Sequence, residues 1–215
     1  TALDSLTTGD NNVAVGDKAL TANTTASNNT AVGDQALEAN TTGQQNVAFG
    51  SGALTSNTTA NYNNAIGAFT LRDNTTGANN TALGHGALLA NTTADDNTAI
   101  GYNAGNSITT GTGNTLLGSG TATSAVDANN QTAVGYNAAC EQNNEISLGN
   151  SSVTTLRCAT SAIASLSDRR DKKDIQTCPF GLNFIEKLKP VQFTWDRRVL
   201  DRSDKYNPNN GKTRL

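Results

Sequence analysis

Asn29-Thr30-Ala31-Val32-Gly33 decides the fold, because it returns as Asn80-Thr81-Ala82-Leu83-Gly84 and Asn97-Thr98-Ala99-Ile100-Gly101 in one unbroken register. Gly16, Gly33, Gly50, Gly67, Gly84, Gly101, Gly118 and Gly135 stand 17 residues apart, with no insertion or deletion. The residue before each is apolar: Val15, Val32, Phe49, Ile66, Leu83, Ile100, Leu117 and Val134. Two before it is alanine, except at Leu116, and four before it is asparagine, except at Gln131. A fixed short period marks a solenoid, in which each repeat is one coil stacked on the last. The chain therefore reads as all-β, a parallel β-solenoid or β-roll of 17-residue coils. Such regularity argues against an enzyme domain, whose site needs one-off residues.

Within a coil, Thr30 and Val32 point one way and Asn29 and Ala31 the other, as in a short strand. The glycine then permits a turn that a side chain would hinder. Ala36-Leu37 follows, echoed by Ala19-Leu20, Ala53-Leu54 and Ala87-Leu88, and the coil closes on Asn40-Thr41-Thr42. The next position alternates along the chain as Gly9, Ala26, Gly43, Ala60, Gly77, Ala94, Gly111 and Ala128. Coils rising about 4.8 Å each would stack Asn on Asn and Thr on Thr, as hydrogen-bonded ladders along a rod of roughly 38 Å. The apolar column before each glycine is read as the inner, buried stack, so Val32→Asp would leave an unpaired charge inside.

One coil carries few sizeable apolar side chains, so a lone chain would bury little area for its length. Alanine columns let neighbours approach closely, and a closed three-fold rod is the expected form: a homotrimeric fibre. The array decays toward its end. Gly105 and Ala122 replace the leucine of earlier coils, the Asn-Thr-Thr column stops after Thr110, and Ile146-Ser147-Leu148-Gly149 follows Gly135 by 14 residues rather than 17. At the other end, Ala2 and Leu3 are in register with Ala19 and Leu20, so the repeat is expected to begin before residue 1, in a longer polypeptide.

Composition divides the chain near Ser167. Residues 1–166 carry eleven acidic and three basic side chains, whereas residues 167–215 carry seven acidic and twelve basic. All three prolines (Pro179, Pro190, Pro208) and Trp195 lie in the second part. The overall charge of −3 thus averages two unlike segments. Cys140, Cys158 and Cys178 have no metal-like spacing and read as free thiols. The organisation expected is a repeat array over 1–150, an extended connector over 151–166 and a small α+β segment over 167–215.

The repeats resemble the heads of trimeric autotransporter adhesins of the YadA type, and similar repeats occur in bacteriophage tail fibres. That resemblance covers residues 1 to about 150 and implies a left-handed parallel β-roll, three of which make a trimer. The coil is longer than is usual there, and the extra residues are expected on the Ala-Leu to Asn-Thr-Thr side.

Ser167-Asp168-Arg169-Arg170-Asp171-Lys172-Lys173-Asp174-Ile175 and Gly181 to Asp196 resemble the opening of the peptidase S74 family, the intramolecular chaperone of phage tail spikes and endosialidases. From the residues, Leu182, Ile185 and Leu188 form a helical stripe with Phe184 beside it, and Val191, Phe193 and Trp195 alternate as a half-buried strand. The family continues beyond what Leu215 reaches, so 167–215 reads as the N-terminal part of such a domain. The resemblance implies that Ser167 is a cleavage nucleophile and that Lys172 assists it. The family more often has leucine where Asp171 stands. A carboxylate there favours a protonated Lys172 and weakens it as a base. Five residues span about 16 Å when extended, so the pair meets only through a turn or across subunits.

Other chemistry is thin. His85, the only histidine, occupies a variable turn position and reads as surface. Tyr62, Phe69, Tyr102 and Tyr136 break the small-polar pattern and are candidates for exposed receptor contacts. The Asn-Thr-Thr runs match the glycosylation sequon, but the ladder explains them without modification. No Walker loop, calcium-roll repeat or zinc-ligand cluster is present, so no cofactor and no metal are expected, nor nucleic-acid binding nor membrane insertion. The reading favoured is a tail fibre on a virion: a homotrimer whose partners are two further copies, other tail or fibre proteins, and a host-surface receptor or glycan. Two alternatives stand beside it, a cellular trimeric adhesin head and an ice-binding solenoid. Ice-binding rolls place Thr at alternate positions, whereas Thr24 and Thr25 are adjacent and point to opposite sides.

Overall fold

The structure, a computed structural model, describes residues 1–157. Each coil contributes one three-residue strand. In chain order these are β1 (Val13–Val15), β2 (Thr30–Val32), β3 (Val47–Phe49), β4 (Asn64–Ile66), β5 (Thr81–Leu83), β6 (Thr98–Ile100), β7 (Thr115–Leu117), β8 (Thr132–Val134) and β9 (Ile146–Leu148). They form one parallel sheet in sequence order, so the expected parallel β-solenoid is what the chain forms. Ala31 pairs with Ala48 and Val32 with Phe49, and the same register continues to Ala133 opposite Ser147 in β9. The shortened last repeat therefore still completes a coil.

Backbone pairing continues outside the sheet. Leu37 N–H donates to Ala53 C=O, Ala39 to Thr55 and Thr41 to Thr58, each in the following coil. Gln35 N–H donates to Asp17 C=O and Gly33 to Val15 in the preceding one. The turns are thus stitched as firmly as the strands, which satisfies backbone groups that burial would otherwise penalise.

The interior is built from small and amide side chains. Ala31, Ala48, Ala65, Ala82 and Ala99 are fully buried, as are Leu20, Leu37, Leu54, Leu71 and Leu88. The column before each glycine faces outward instead: Val15 is 57% exposed, Phe49 55%, Ile66 42%, Leu83 45% and Ile100 41%. The expectation that Val32 and its column form the inner stack is therefore corrected. Strand alternation puts Asn29 and Ala31 inside, and the narrow coil has room there for alanine but not for valine or phenylalanine.

The leucines supply the interior volume from an unusual backbone. Leu20, Leu37, Leu54, Leu71 and Leu88 have φ between 49° and 52°, a left-handed conformation rare for bulky residues. That costs roughly 1–2 kcal/mol each, while burying a leucine side chain yields about 1.5–3 kcal/mol, so burial wins by a small margin. Gly105, φ 60°, takes the same place one coil after Leu88.

Two asparagine ladders complete the core. In the first, Asn29 Oδ1 accepts from Asn46 N–H at 3.0 Å, and Asn29 Nδ2 donates to Gly43 C=O at 2.9 Å. In the second, Asn57 Nδ2 donates to Asn40 Oδ1 and Asn74 Nδ2 to Asn57 Oδ1, at 2.9 and 3.0 Å. Asn40 Nδ2 reaches the same Gly43 carbonyl at 2.9 Å, so one oxygen joins both ladders. The threonine ladder differs from the one expected. Thr41 Oγ1 donates to the Thr58 backbone carbonyl at 3.0 Å, not to a hydroxyl.

The Gly/Ala alternation has a steric cause. A Cβ on Gly43 would collide with the Ala60 carbonyl, and one on Gly77 with that of Ala94. In the alanine coils the next residue is Ser27, Asn61, Asp95 or Asn129, each accepting a hydrogen bond from a backbone N–H of the preceding coil. The repeating unit is therefore a pair of coils.

Candidate functional site

Two features of the outer surface could act on another molecule. The first is the apolar column. Parallel pairing sets Phe49 against Ile66, Ile66 against Leu83 and Leu83 against Ile100, so these side chains run as one line along the rod. Phe49, Ile66, Leu83 and Ile100 are each more than 40% exposed, a contiguous stripe of the kind that marks a contact surface. The glycine that follows each lets successive coils approach closely beside the stripe. A Cβ on Gly33 would stand 2.5 Å from the Gly50 carbonyl carbon, and φ at Gly33 is 136°, so only glycine fits.

The second feature lies just beyond those glycines. Phe69 and His85 meet edge to face with ring centroids 5.7 Å apart, and His85 stacks on Tyr102 at 5.5 Å with 19° between the planes. Phe69 is 40% and Tyr102 58% exposed, and His85 is exposed too. Phe69 has φ 56°, at a position where other coils use Gly52, Gly86, Asn103, Gly120 and Asn137 as well as Lys18 and Gln35. Its ring lies over Gly52, where a Cβ would come within 2.8 Å of Phe69 Cδ1. Tyr62 and Tyr136, 55% and 69% exposed, stand apart from this group. The sequence singled out all four aromatics and placed His85 at the surface. It missed that three rings touch. The signal was available, since residues 69, 85 and 102 fall at nearly one coil's spacing.

The sequons have a clear structural role. Asn23, Asn40, Asn57, Asn74 and Asn91 are fully buried, and their amide nitrogens donate to carbonyls three residues on. Cys140 is also buried, with its thiol pushed above the ordinary value by burial and then by the nearby Glu145 carboxylate. Among the described residues, no group of three or more His, Cys, Asp or Glu is placed to hold a metal ion.

Ser167 and Lys172 lie outside the described residues, as do the helix expected around Leu182 to Leu188, the strand from Val191 to Trp195, Cys158 and Cys178. Residues 167–214 match the protein-family model Peptidase_S74, described as chaperone of endosialidase. The match begins at the serine singled out in the sequence and includes Lys172. Comparison with curated proteins found no match.

Proposed function

We propose that this chain is part of a structural fibre that assembles as a homotrimer, acts in attachment to a host surface as a phage tail fibre, and is aligned during assembly by its C-terminal chaperone segment. The observation that carries this reading is the exposed apolar stripe of Phe49, Ile66, Leu83 and Ile100 on a parallel β-solenoid whose chain continues into the Peptidase_S74 match at 167–214. A stripe repeated once per coil suits copies packed in parallel and in register, because each coil then offers its partners the same contact. Burying it would supply the apolar area that one coil lacks. The segment matching the chaperone family gives the three chains a place to align before their rolls zip together. Ser167 and Lys172 would then cut the Leu166–Ser167 bond once, leaving the fibre kinetically trapped.

The fibre reading outranks the ice-binding one on a specific point. The hydroxyls of Thr41, Thr75 and Thr92 already donate to the carbonyls of Thr58, Thr92 and Thr109, so Thr42, Thr76 and Thr93 stand as a single exposed column, without the second threonine at an alternate position that ice-binding rolls place on the same face. The test of the fibre is light scattering on the full-length protein. A mass of three chains is expected, and a monomeric mass overturns the reading.

A further inference from the structure

We propose that Phe69, His85 and Tyr102 form a binding site for a neutral oligosaccharide lying along the rod. The proposal rests on the attachment reading above and names its ligand class and residues. The three rings come from successive coils and are already in mutual contact, at 5.7 and 5.5 Å between centroids, so no side chain has to be gathered on binding. The exposed parts of the three rings offer apolar surface to the C–H groups of a sugar. Asn103, beside Tyr102, lies over Gly86 and brings an amide to the same place.

Two observations separate this surface from the rest of the fold. First, Phe69 is the one aromatic in a column otherwise held by Lys18, Gln35, Gly52, Gly86, Asn103, Gly120 and Asn137, and its ring, 40% exposed, does not fill the core as the left-handed leucines do. Second, the patch is local. Copies packed in parallel register meet the same surface at every coil, as the apolar stripe provides, whereas these rings occupy three coils only. A second copy is therefore the poorer occupant. The charge argues for a neutral sugar: the described chain has eleven acidic side chains against Lys18, Arg72 and Arg157. An anionic glycan would meet a repulsive field.

The repeat itself supplies the control variant. Phe69→Asn, His85→Ser and Tyr102→Ser introduce residues that equivalent positions already hold, at Asn103, Ser51 and Ser119. The fluorescently labelled chain and this triple variant are applied to an array of neutral hexose and N-acetylhexosamine oligosaccharides, with sialylated counterparts as the contrasting set. The expected result is binding to members of the neutral set, weakened about tenfold or more in the variant, with mass and melting temperature retained. Equal binding by both chains overturns the site, as does binding confined to the sialylated set or to no glycan. A variant that loses its oligomeric mass overturns it too, because the rings then belong to the contact between copies. A monomeric chain that still binds the neutral set, and loses this in the variant, supports the site while overturning the trimer.

Discussion

Leu116 occupies the space that a side chain at residue 105 would need: a Cβ on Gly105 would stand 2.5 Å from Leu116 Cδ1. In the earlier coils the same volume is filled by a leucine in the left-handed turn and an alanine in the strand, as with Leu88 and Ala99. Here the two have exchanged sizes. Two apparent lapses in the repeat, Gly105 and Leu116, are one substitution made in two places.

That exchange predicts strong coupling. Leu116→Ala alone should cost about 2–5 kcal/mol, since the cavity faces Gly105 and Ile108. Gly105→Leu alone should overpack and cost about 1–3 kcal/mol. The double variant restores the leucine–alanine pair of the earlier coils, with Ile108 still in place of their asparagine, and should lose less than the two single losses added together. A double-mutant cycle in denaturant checks this, and additive losses would sink it.

Neighbouring residues on opposite faces should fail differently. Ala65→Asp puts a charge into the closed interior, so the roll itself should unfold, with loss of its β signal in circular dichroism. Ile66→Asp points outward and should leave each coil intact while lowering the oligomeric mass. Equal loss of secondary structure in both would show that the faces are misassigned.

The asparagine ladder should be sensitive at every rung. Asn57→Ala removes the donor to Asn40 Oδ1, which stays buried without a partner, at about 1–3 kcal/mol. Thr59→Ala, on the exposed column, should change stability by less than about 0.5 kcal/mol. The ladder ends at Asn91, whose Oδ1 has no hydrogen-bond partner because Ile108 stands in the next rung. Thermal melts of the two variants make the comparison.

Cys140 should resist alkylation while the roll is folded. Burial raises its pKa, so the folded thiol is less ionised than the unfolded one at a pH near the unfolded value of about 8.5. The folded state is favoured while the thiol is protonated, and that contribution is lost as pH rises from the unfolded value through the folded one. Iodoacetamide labelling followed by peptide mapping should therefore show slow modification of Cys140 at pH 8.5 and rapid modification in denaturant. Fast labelling of the native chain would contradict its burial.

Cleavage tests the C-terminal segment. In the full-length protein, Ser167→Ala and Lys172→Ala should each leave an uncut chain that still assembles. Asp171→Leu should speed cutting by removing a carboxylate that favours the charged lysine. Denaturing gels and N-terminal sequencing of the small fragment decide it: a fragment beginning anywhere but Ser167 would refute the nucleophile.

Only the aromatic part of the outer surface was legible in the sequence, where Phe69, His85 and Tyr102 break a regular pattern; the apolar stripe was read as interior. His85 and Tyr102 were readable as surface on that ground. That they stack, and that Phe69 joins them, depends on how successive turns superpose. The roles proposed for Ser167 and Lys172 rest on the resemblance, which is carried by the linear order of residues; the family match spans both positions.

The sequence by itself determined the register, the one strand per coil and the division of Asn29 and Ala31 from Thr30 and Val32 onto opposite faces, because strand alternation and a 17-residue period are properties of the chain's own spacing. It did not decide which side of that alternation encloses the core. Val32 is more apolar than Ala31, and hydrophobicity alone puts valine inside. Tertiary structure reversed that choice, because the closed coil leaves room for a methyl beside Leu37 and the asparagine amides but not for a branched side chain. The left-handed leucines were decided there as well: their backbone is unfavourable locally and is held by burial and by hydrogen bonds to the coils on either side.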